Sequence, residues 1–402
     1  RRKERRLASG ACARRFPCSM FHVKHSGNMV AKTPDRPNWQ EGGFALYVHW
    51  PFCLAKCPYC DFNSHVVQSI DQNRWAVAYV EAIAALGRAL PDRVLTSIYF
   101  GGGTPSLMPA ETVEKVISAA RAAWATSNDI EITLEANPTS VELERFTAFS
   151  DAGVNRISLG IQALDDQALR LLGRQHSVKD ALMAWDVARS VFARASFDII
   201  YSRQFQDLAS WKSELRTALS LSPDHLSLYQ LTIEDGTAFG DRYKIGRLPG
   251  LPDDDRGADM FHLTQDICDE AGLSAYEVSN HARSGQESRH NLVYWRYGDY
   301  VGVGPGAHGR IEIAGQRYAT TTERSPAAWL EHQPGESNPL ASAETVLPVD
   351  SAEEYLMMSL RLTEGADLAR HALLGGRPIP ATAIDSLSEL GLLWSSDARI
   401  GA

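Results

Sequence analysis

The sequence predicts an α/β protein, a partial (β/α)6 barrel followed by a smaller, mostly helical C-terminal region. Two observations carry this reading. From residue 44 onward, short apolar runs alternate with longer segments of helical periodicity, the pattern of repeated βα units around a parallel sheet. The series then stops at a stretch rich in Pro, Gly and Asp, Gly246 to Asp255, which marks the end of the barrel.

The strands are expected at Leu46–Trp50, Val94–Phe100, Ile130–Glu135, Val154–Leu159, Ser196–Tyr201 and His225–Leu231. Between them, Trp75–Leu90, Ala110–Trp124, Val141–Ala152, Val178–Phe192 and Ser210–Leu221 place apolar residues at helical spacing among Ala, Leu, Glu and Arg. This core barrel spans 44–245. A second region, 246–345, holds a helix near Met260–Ala271, a short run at Tyr276–Ser279, the glycine-rich stretch Gly302–Gly309 and a polar linker with Pro334, Gly335 and Pro339. Residues 346–402 read as two helices and a β-wing at Leu392–Trp394 and Ile400, a wing that looks truncated at Ala402.

The start of the chain is different in kind. Residues 1–43 open with Arg1-Arg2-Lys3-Glu4-Arg5-Arg6 and carry Arg14-Arg15, a basic and non-periodic tail. It is expected to be disordered or not native, with a misplaced start upstream of Met20 or Met29 preferred over a transit peptide.

Composition narrows the function. A 402-residue chain with 44% hydrophobic residues can bury a large core, and its net charge of −9 opposes a general attraction to nucleic acid. No apolar run reaches the roughly 18 residues that span a bilayer. A soluble, cytoplasmic protein is therefore expected. Of the six cysteines, Cys53, Cys57 and Cys60 fall together in one loop, which points to metal rather than to a disulfide framework. Cys12 and Cys18 lie in the tail, and Cys268 reads as an inert buried thiol.

The segment Tyr47-Val48-His49-Trp50-Pro51-Phe52-Cys53-Leu54-Ala55-Lys56-Cys57-Pro58-Tyr59-Cys60-Asp61-Phe62 sets three soft ligands just after the first strand. Thiolates suit zinc or an iron–sulfur cluster, and zinc would call on a fourth ligand such as His49 or His65. The C-x-x-x-C-x-x-C spacing resembles the radical S-adenosylmethionine (SAM) superfamily. That resemblance implies a [4Fe-4S] cluster held by Cys53, Cys57 and Cys60, with SAM on the fourth iron.

The resemblance extends to Phe100-Gly101-Gly102-Gly103-Thr104-Pro105, Leu134-Glu135-Ala136-Asn137-Pro138, Gly160-Ile161-Gln162 and Asp198, all at or near strand ends where βα barrels build their sites. It implies that Tyr47, Tyr59, Gly102, Gly103, Thr104, Glu135, Gln162, Arg174 and Asp198 contact SAM.

Within the superfamily the chain is similar to the relatives of oxygen-independent coproporphyrinogen III oxidase. Phe62 stands where the oxidase carries a further cysteine. Ser288-Arg289-His290-Asn291-Leu292-Val293-Tyr294-Trp295 contains the His-Asn-x-x-Tyr-Trp signature of the heme chaperone branch, the HemW family. This branch implies heme binding, with His290 as axial ligand, Tyr294 or Trp295 packing on the macrocycle and His308 in reserve. It also implies transfer of heme to acceptor proteins, including respiratory enzymes met at a membrane. The enzyme reading, coproporphyrinogen III dehydrogenation, is the alternative.

Tyr300–Gly309 mimics a dinucleotide-binding loop, but Ile311-Glu312-Ile313 reads as a strand where that loop needs a helix. One departure stands out. After Tyr201 the family commonly has Gly-Leu-Pro-Gly, and this chain has Ser202-Arg203-Gln204-Phe205.

Overall fold

The computed structural model describes residues 38–139, 143–331, 339–340, 342–396 and 398–402. Cys12, Cys18, Met20, Met29, Pro334 and Gly335 lie outside them. The six expected strands form as β1 (Phe44–Trp50), β2 (Val94–Gly102), β3 (Ala125–Ala136), β4 (Arg156–Gln162), β5 (Arg194–Tyr201) and β6 (His225–Gln230), each parallel to the next.

The connecting helices run from Gln72–Ala89 to Leu208–Ser220. Several begin where their sequence caps them. Asp71 accepts from Arg74 N, and Ser177 with Asp180 and Asp207 with Ser210 form reciprocal capping boxes that satisfy otherwise unpaired N–H groups. The third expected helix is described only as Phe146–Asp151, and a short helix at Asp166–Leu171 adds to the expected set.

The sheet does not end at residue 246. Strand β8 (Asn280–Ala282) pairs onto β6 and β7 (Ser274–Glu277) onto β8, and β9 (Asp299–Val303), β10 (His308–Ile313), β11 (Gln316–Thr321) and β12 (Glu344–Thr345) extend the sheet beyond β1. The result is one sheet of order β12-β11-β10-β9-β1-β2-β3-β4-β5-β6-β8-β7. The physical reason is that both outer edges of a partial barrel present unpaired backbone groups, which the later segments satisfy. Gly304–Ala307 turns directly into β10, with no helix after it. The C-terminal wing forms as β14 (Trp394–Ser395) and β15 (Arg399–Gly401), which join β13 (Ala366–Asp367) in a small antiparallel sheet. At the other end, the expected boundary after residue 43 falls late. A short helix, Asn38–Gly42, packs on the body, with the Arg93 guanidinium 5.6 Å from the Trp39 ring centre.

Alternation within the parallel strands positions the site. One face carries Leu46, Val48, Ile98, Phe100, Ile132, Leu134, Ile157, Leu159, Phe197, Ile199, Leu226 and Leu228, all buried in the main core under the helices. Each fully buried side chain of this kind contributes about 1.5–3 kcal/mol. The other face carries polar residues at every second position, such as Tyr99 on β2, Glu131, Thr133 and Glu135 on β3, Arg156 and Ser158 on β4, and His225, Ser227 and Tyr229 on β6. Parallel strands are usually apolar on both faces. A polar inner face therefore makes the barrel lumen a binding cavity rather than a packed core.

Candidate functional site

The lumen holds a cavity of about 560 Å3, open at the C-terminal ends of the strands beneath the cysteine loop. Cys53, Cys57 and Cys60 line it as free, half-buried thiols. Their loop is fixed by its backbone. Cys53 N donates to His65 O (3.0 Å), His65 N to Pro51 O (2.7 Å) and Cys60 N to Cys57 O (3.1 Å).

His49 and His65 do not complete a tetrahedral site. His49 is hydrogen-bonded through Nδ1 to Tyr47 and through Nε2 to Asn63 O, while His65 Nε2 pairs with Asn63 Oδ1. Two sulfurs accept hydrogen bonds, Cys53 from Thr104 Oγ1 and Cys57 from an Arg174 guanidinium N–H, each at 3.5 Å. Such donors stabilise thiolates and tune a cluster. Burial pushes the Cys53 and Cys60 thiols up, so a bound metal is what would hold them ionised.

The glycine turn lies against this loop. Gly103 N donates to Trp50 O (2.7 Å) and Thr104 N to Phe52 O (2.8 Å). A Cβ on Gly103 would come within 2.7 Å of Phe52 O, and Gly102 sits at φ +111° with the His49 ring 2.7 Å from where a Cβ would stand. Only glycine permits that approach.

Of the expected SAM contacts, Tyr59, Gly102, Gly103, Thr104, Glu135, Gln162, Arg174 and Asp198 all line the cavity. Arg174 bridges three elements, donating to Cys57 Sγ, Asn137 Oδ1 (2.5 Å) and Gly160 O (2.9 Å), and its buried Nε has no partner among the described residues. Burial drives the Glu135 carboxyl up to about 7, with the Asp198 charge adding to the rise and a hydrogen bond from Tyr99 (2.8 Å) opposing it. Burial likewise lifts Asp198 to about 6, against hydrogen bonds from Ser227 and Ser158 and the charge of Arg156. Two desolvated carboxyls and an unpaired guanidinium N–H fit a ligand that carries both a cation and a carboxylate, as SAM does.

Two of the expected residues lie outside the cavity wall. Tyr47 is not part of the cavity wall. Its hydroxyl bonds His49 Nδ1 (2.9 Å), and its ring lies against Tyr99. His290, expected to reach a heme iron, is 1% exposed, with Nδ1 hydrogen-bonded to Ser97 Oγ (2.9 Å) and Nε2 to Tyr294 OH (2.8 Å). Its ring stacks on Tyr99 at 4.7 Å. Both nitrogens are spent, so His290 serves to dock the helix Arg289–Trp295 into the lumen. Tyr294 packs edge-on to Tyr300, and Trp295 lies under the Arg361 guanidinium at 4.4 Å. Asn291, the neighbour of His290, does line the cavity. His308, at the start of β10, keeps an exposed ring that is held neutral by partial burial and by Arg310 and Arg324.

The Ser202–Phe205 departure is compensated. Ser202 (φ 58°) and Phe205 (φ 63°), which stand where the family carries glycines, keep the left-handed backbone. Arg203 pairs with Glu214 (2.5 Å) and donates to Gln162 O, and Glu214 also accepts from Leu164 N. That buried hub fixes Gln162, itself at φ 70°.

Sequence reasoning missed Tyr99, Arg156, His225, Tyr229 and Asn291 as cavity residues. For Tyr99, Arg156, His225 and Tyr229 the signal was present as period-two polar residues in strands expected to be parallel, whereas Asn291 sits on the helix Arg289–Trp295.

A model of the radical SAM superfamily matches residues 47–202. A Bos taurus protein, radical S-adenosyl methionine domain-containing protein 1, mitochondrial, is 41% identical over 332 residues, covering 80% of this chain and 74% of the relative. Heme chaperone HemW of Escherichia coli is 38% identical over 325 residues, covering 80% of this chain and 83% of the relative. Among solved structures, coproporphyrinogen III oxidase (HemN) from Escherichia coli, a radical SAM enzyme, superposes with a TM-score of 0.74 at 20% identity, covering 91% of this chain and 87% of that one. This last likeness shows the fold alone.

Proposed function

Since the chain belongs to the radical SAM superfamily and, within it, to the family of heme chaperone HemW and its mitochondrial relatives, we propose that it binds heme and delivers it to acceptor proteins. The observation that carries this reading is the 38% identity to HemW across four-fifths of the chain. Family membership implies a [4Fe-4S] cluster and SAM. In our reading Cys53, Cys57 and Cys60 hold the cluster, and Glu135, Gln162, Arg174 and Asp198 hold SAM beside Tyr59 and the Gly102–Thr104 turn. A bound cluster supplies a one-electron donor with one iron left open to SAM. The protein's own part is to place donors on the sulfurs and to exclude water from the two carboxyls.

Heme is the cargo. A cavity of about 560 Å3 suits one ligand of ordinary size. Of the two named histidines, His308 has the exposed neutral ring that ligation requires, and we assign it that role in place of His290. Respiratory enzymes as acceptors, contact with a membrane to reach them and a cytoplasmic location complete the proposal. Among the described residues no helix is long and apolar enough to cross a membrane.

The test is a heme titration of the anaerobically reconstituted protein, followed by absorbance and resonance Raman. One heme per chain, with a spectrum that changes in His308→Ala, supports the reading. No saturable binding overturns it.

A further inference from the structure

The cavity continues past the carboxyls of Glu135 and Asp198 to a floor remote from the cysteines, where Arg156, His225, Ser288, Asn291 and Arg361 line it. We propose that this floor is a carboxylate subsite, in which Asn291, Arg361, Arg156 and His225 receive a propionate arm of a tetrapyrrole. On this assignment it is Asn291, rather than His290, through which the His-Asn-x-x-Tyr-Trp segment meets ligand. The inference rests on the tetrapyrrole reading above.

Three observations carry it. The first is charge. Arg156 (3% exposed) and Arg194 share a single adjacent carboxylate, Glu131, which lies 2.6 Å from Arg194 and 4.0 Å from Arg156. Glu131 is further engaged by His290 N and Ser288 Oγ. The remaining bonds of Arg156 go to the neutral hydroxyls of Thr133 and Ser196. Asp198, the other acid near it, is reached only through the Ser196–Ser158 hydroxyl chain, at 3.1 and 3.4 Å. The floor therefore holds a buried guanidinium whose one ion pair is long and shared with Arg194, so its charge is only partly offset and an anion would complete it.

The second is an unpaired polar atom. His225 is 3% exposed, its Nε2 meets Tyr276 OH at 3.0 Å, and its Nδ1 has no partner among the described residues. Burial and the neighbouring Arg156 and Arg194 keep that imidazole neutral, so Nδ1 is free to donate when the Tyr276 hydroxyl supplies the other hydrogen bond.

The third is placement. Trp295 supports the Arg361 guanidinium at 4.4 Å while Glu277 Oε2 holds it at 3.0 Å, and Asn291 Nδ2 reaches Tyr276 OH at 3.3 Å. The segment thus aligns Asn291 and, through Trp295, Arg361 on one wall, with His290 and Tyr294 anchoring it behind.

The experiment uses the full chain, reconstituted anaerobically with cluster and SAM, and follows fluorescence on titration with protoporphyrin IX and with its dimethyl ester. Neither probe carries iron, so axial ligation plays no part. The unmodified protein is expected to prefer the diacid by about tenfold, as a charge-assisted hydrogen bond provides. Asn291→Ala should remove most of that preference while leaving the melting temperature and SAM affinity in place, and Arg361→Met should remove it with SAM affinity in place but a lower melting temperature, since buried Glu277 loses its cation. Equal binding of diacid and ester, or an unchanged preference in both variants, overturns the subsite while heme binding stands. Loss of SAM affinity in the variants with porphyrin preference intact assigns the floor to SAM and also overturns it. No binding of porphyrin or heme at all overturns the tetrapyrrole reading and the subsite together.

Discussion

Replacing Glu135 by Gln tests the electrostatics of the cavity. Burial, with Asp198 adding, lifts this carboxyl from an ordinary 4.5 to about 7. A carboxyl whose folded pKa lies above its unfolded one stabilises the fold below the unfolded value, and that contribution is lost as the pH rises through the folded value. The window here runs from about pH 4.5 to 7, and the rise corresponds to about 3 kcal/mol at one tenfold step per 1.36 kcal/mol. Gln still accepts from Tyr99 and carries no charge. Without SAM, Glu135→Gln is therefore expected to match the unmodified protein at pH 5 and to exceed it by about 2–3 kcal/mol at pH 8. Urea unfolding at the two pH values, with unchanged m, reads the difference. SAM should reverse the ranking, because its cation restores a partner to the ionised Glu135 and has none in the variant. A stability difference that is the same at both pH values would refute the argument, since it would show that Glu135 titrates normally in the fold.

Three further outcomes follow from the geometry. Changing Cys53, Cys57 or Cys60 to Ala should abolish the cluster, and retention of about four irons and four sulfides per chain would contradict the ligand assignment. Arg203→Ala leaves Glu214 buried beside Leu164 N and Gln206 without its cation, which should destabilise the fold by about 3–5 kcal/mol and weaken SAM binding as Gln162 loses its anchor; calorimetry of SAM and thermal melts together check it. Ser202→Gly relieves a left-handed backbone and should stabilise by about 1 kcal/mol, read as a higher urea midpoint.

The six parallel strands were legible because each is a short apolar run followed by a helix-length segment, and their observed limits differ from the expected ones by a few residues. Strands β7 to β12 were harder to read. Gln316–Thr321 and Glu344–Thr345 are short and polar, and they are strands because they cover an edge of the sheet rather than because of their own composition. The cysteine loop and the cavity-lining residues Gly102–Thr104, Glu135, Gln162 and Asp198 were legible as motifs, since backbone geometry ties the glycines and strand ends to fixed places. His290 was not. A histidine followed by aromatics reads as an axial ligand, but its partner Ser97 lies 193 residues away in sequence, and only the fold reveals that Ser97 and Tyr294 take both ring nitrogens. The loss of glycine at Ser202 and Phe205 likewise looked like a change of loop shape, whereas the Arg203–Glu214 pair and Gly250 O, which accepts from Phe205 N at 2.6 Å, keep the left-handed turn.

Heme transfer tests the central claim most directly. The reconstituted protein, loaded with one heme per chain, is mixed anaerobically with the heme-free form of a respiratory enzyme, and the absorbance and activity of the acceptor are followed after separation of the two proteins. The account predicts that heme leaves this chain and that the acceptor gains activity. Heme retained on this chain, or a chain that takes up no heme and instead decarboxylates coproporphyrinogen III, would contradict it.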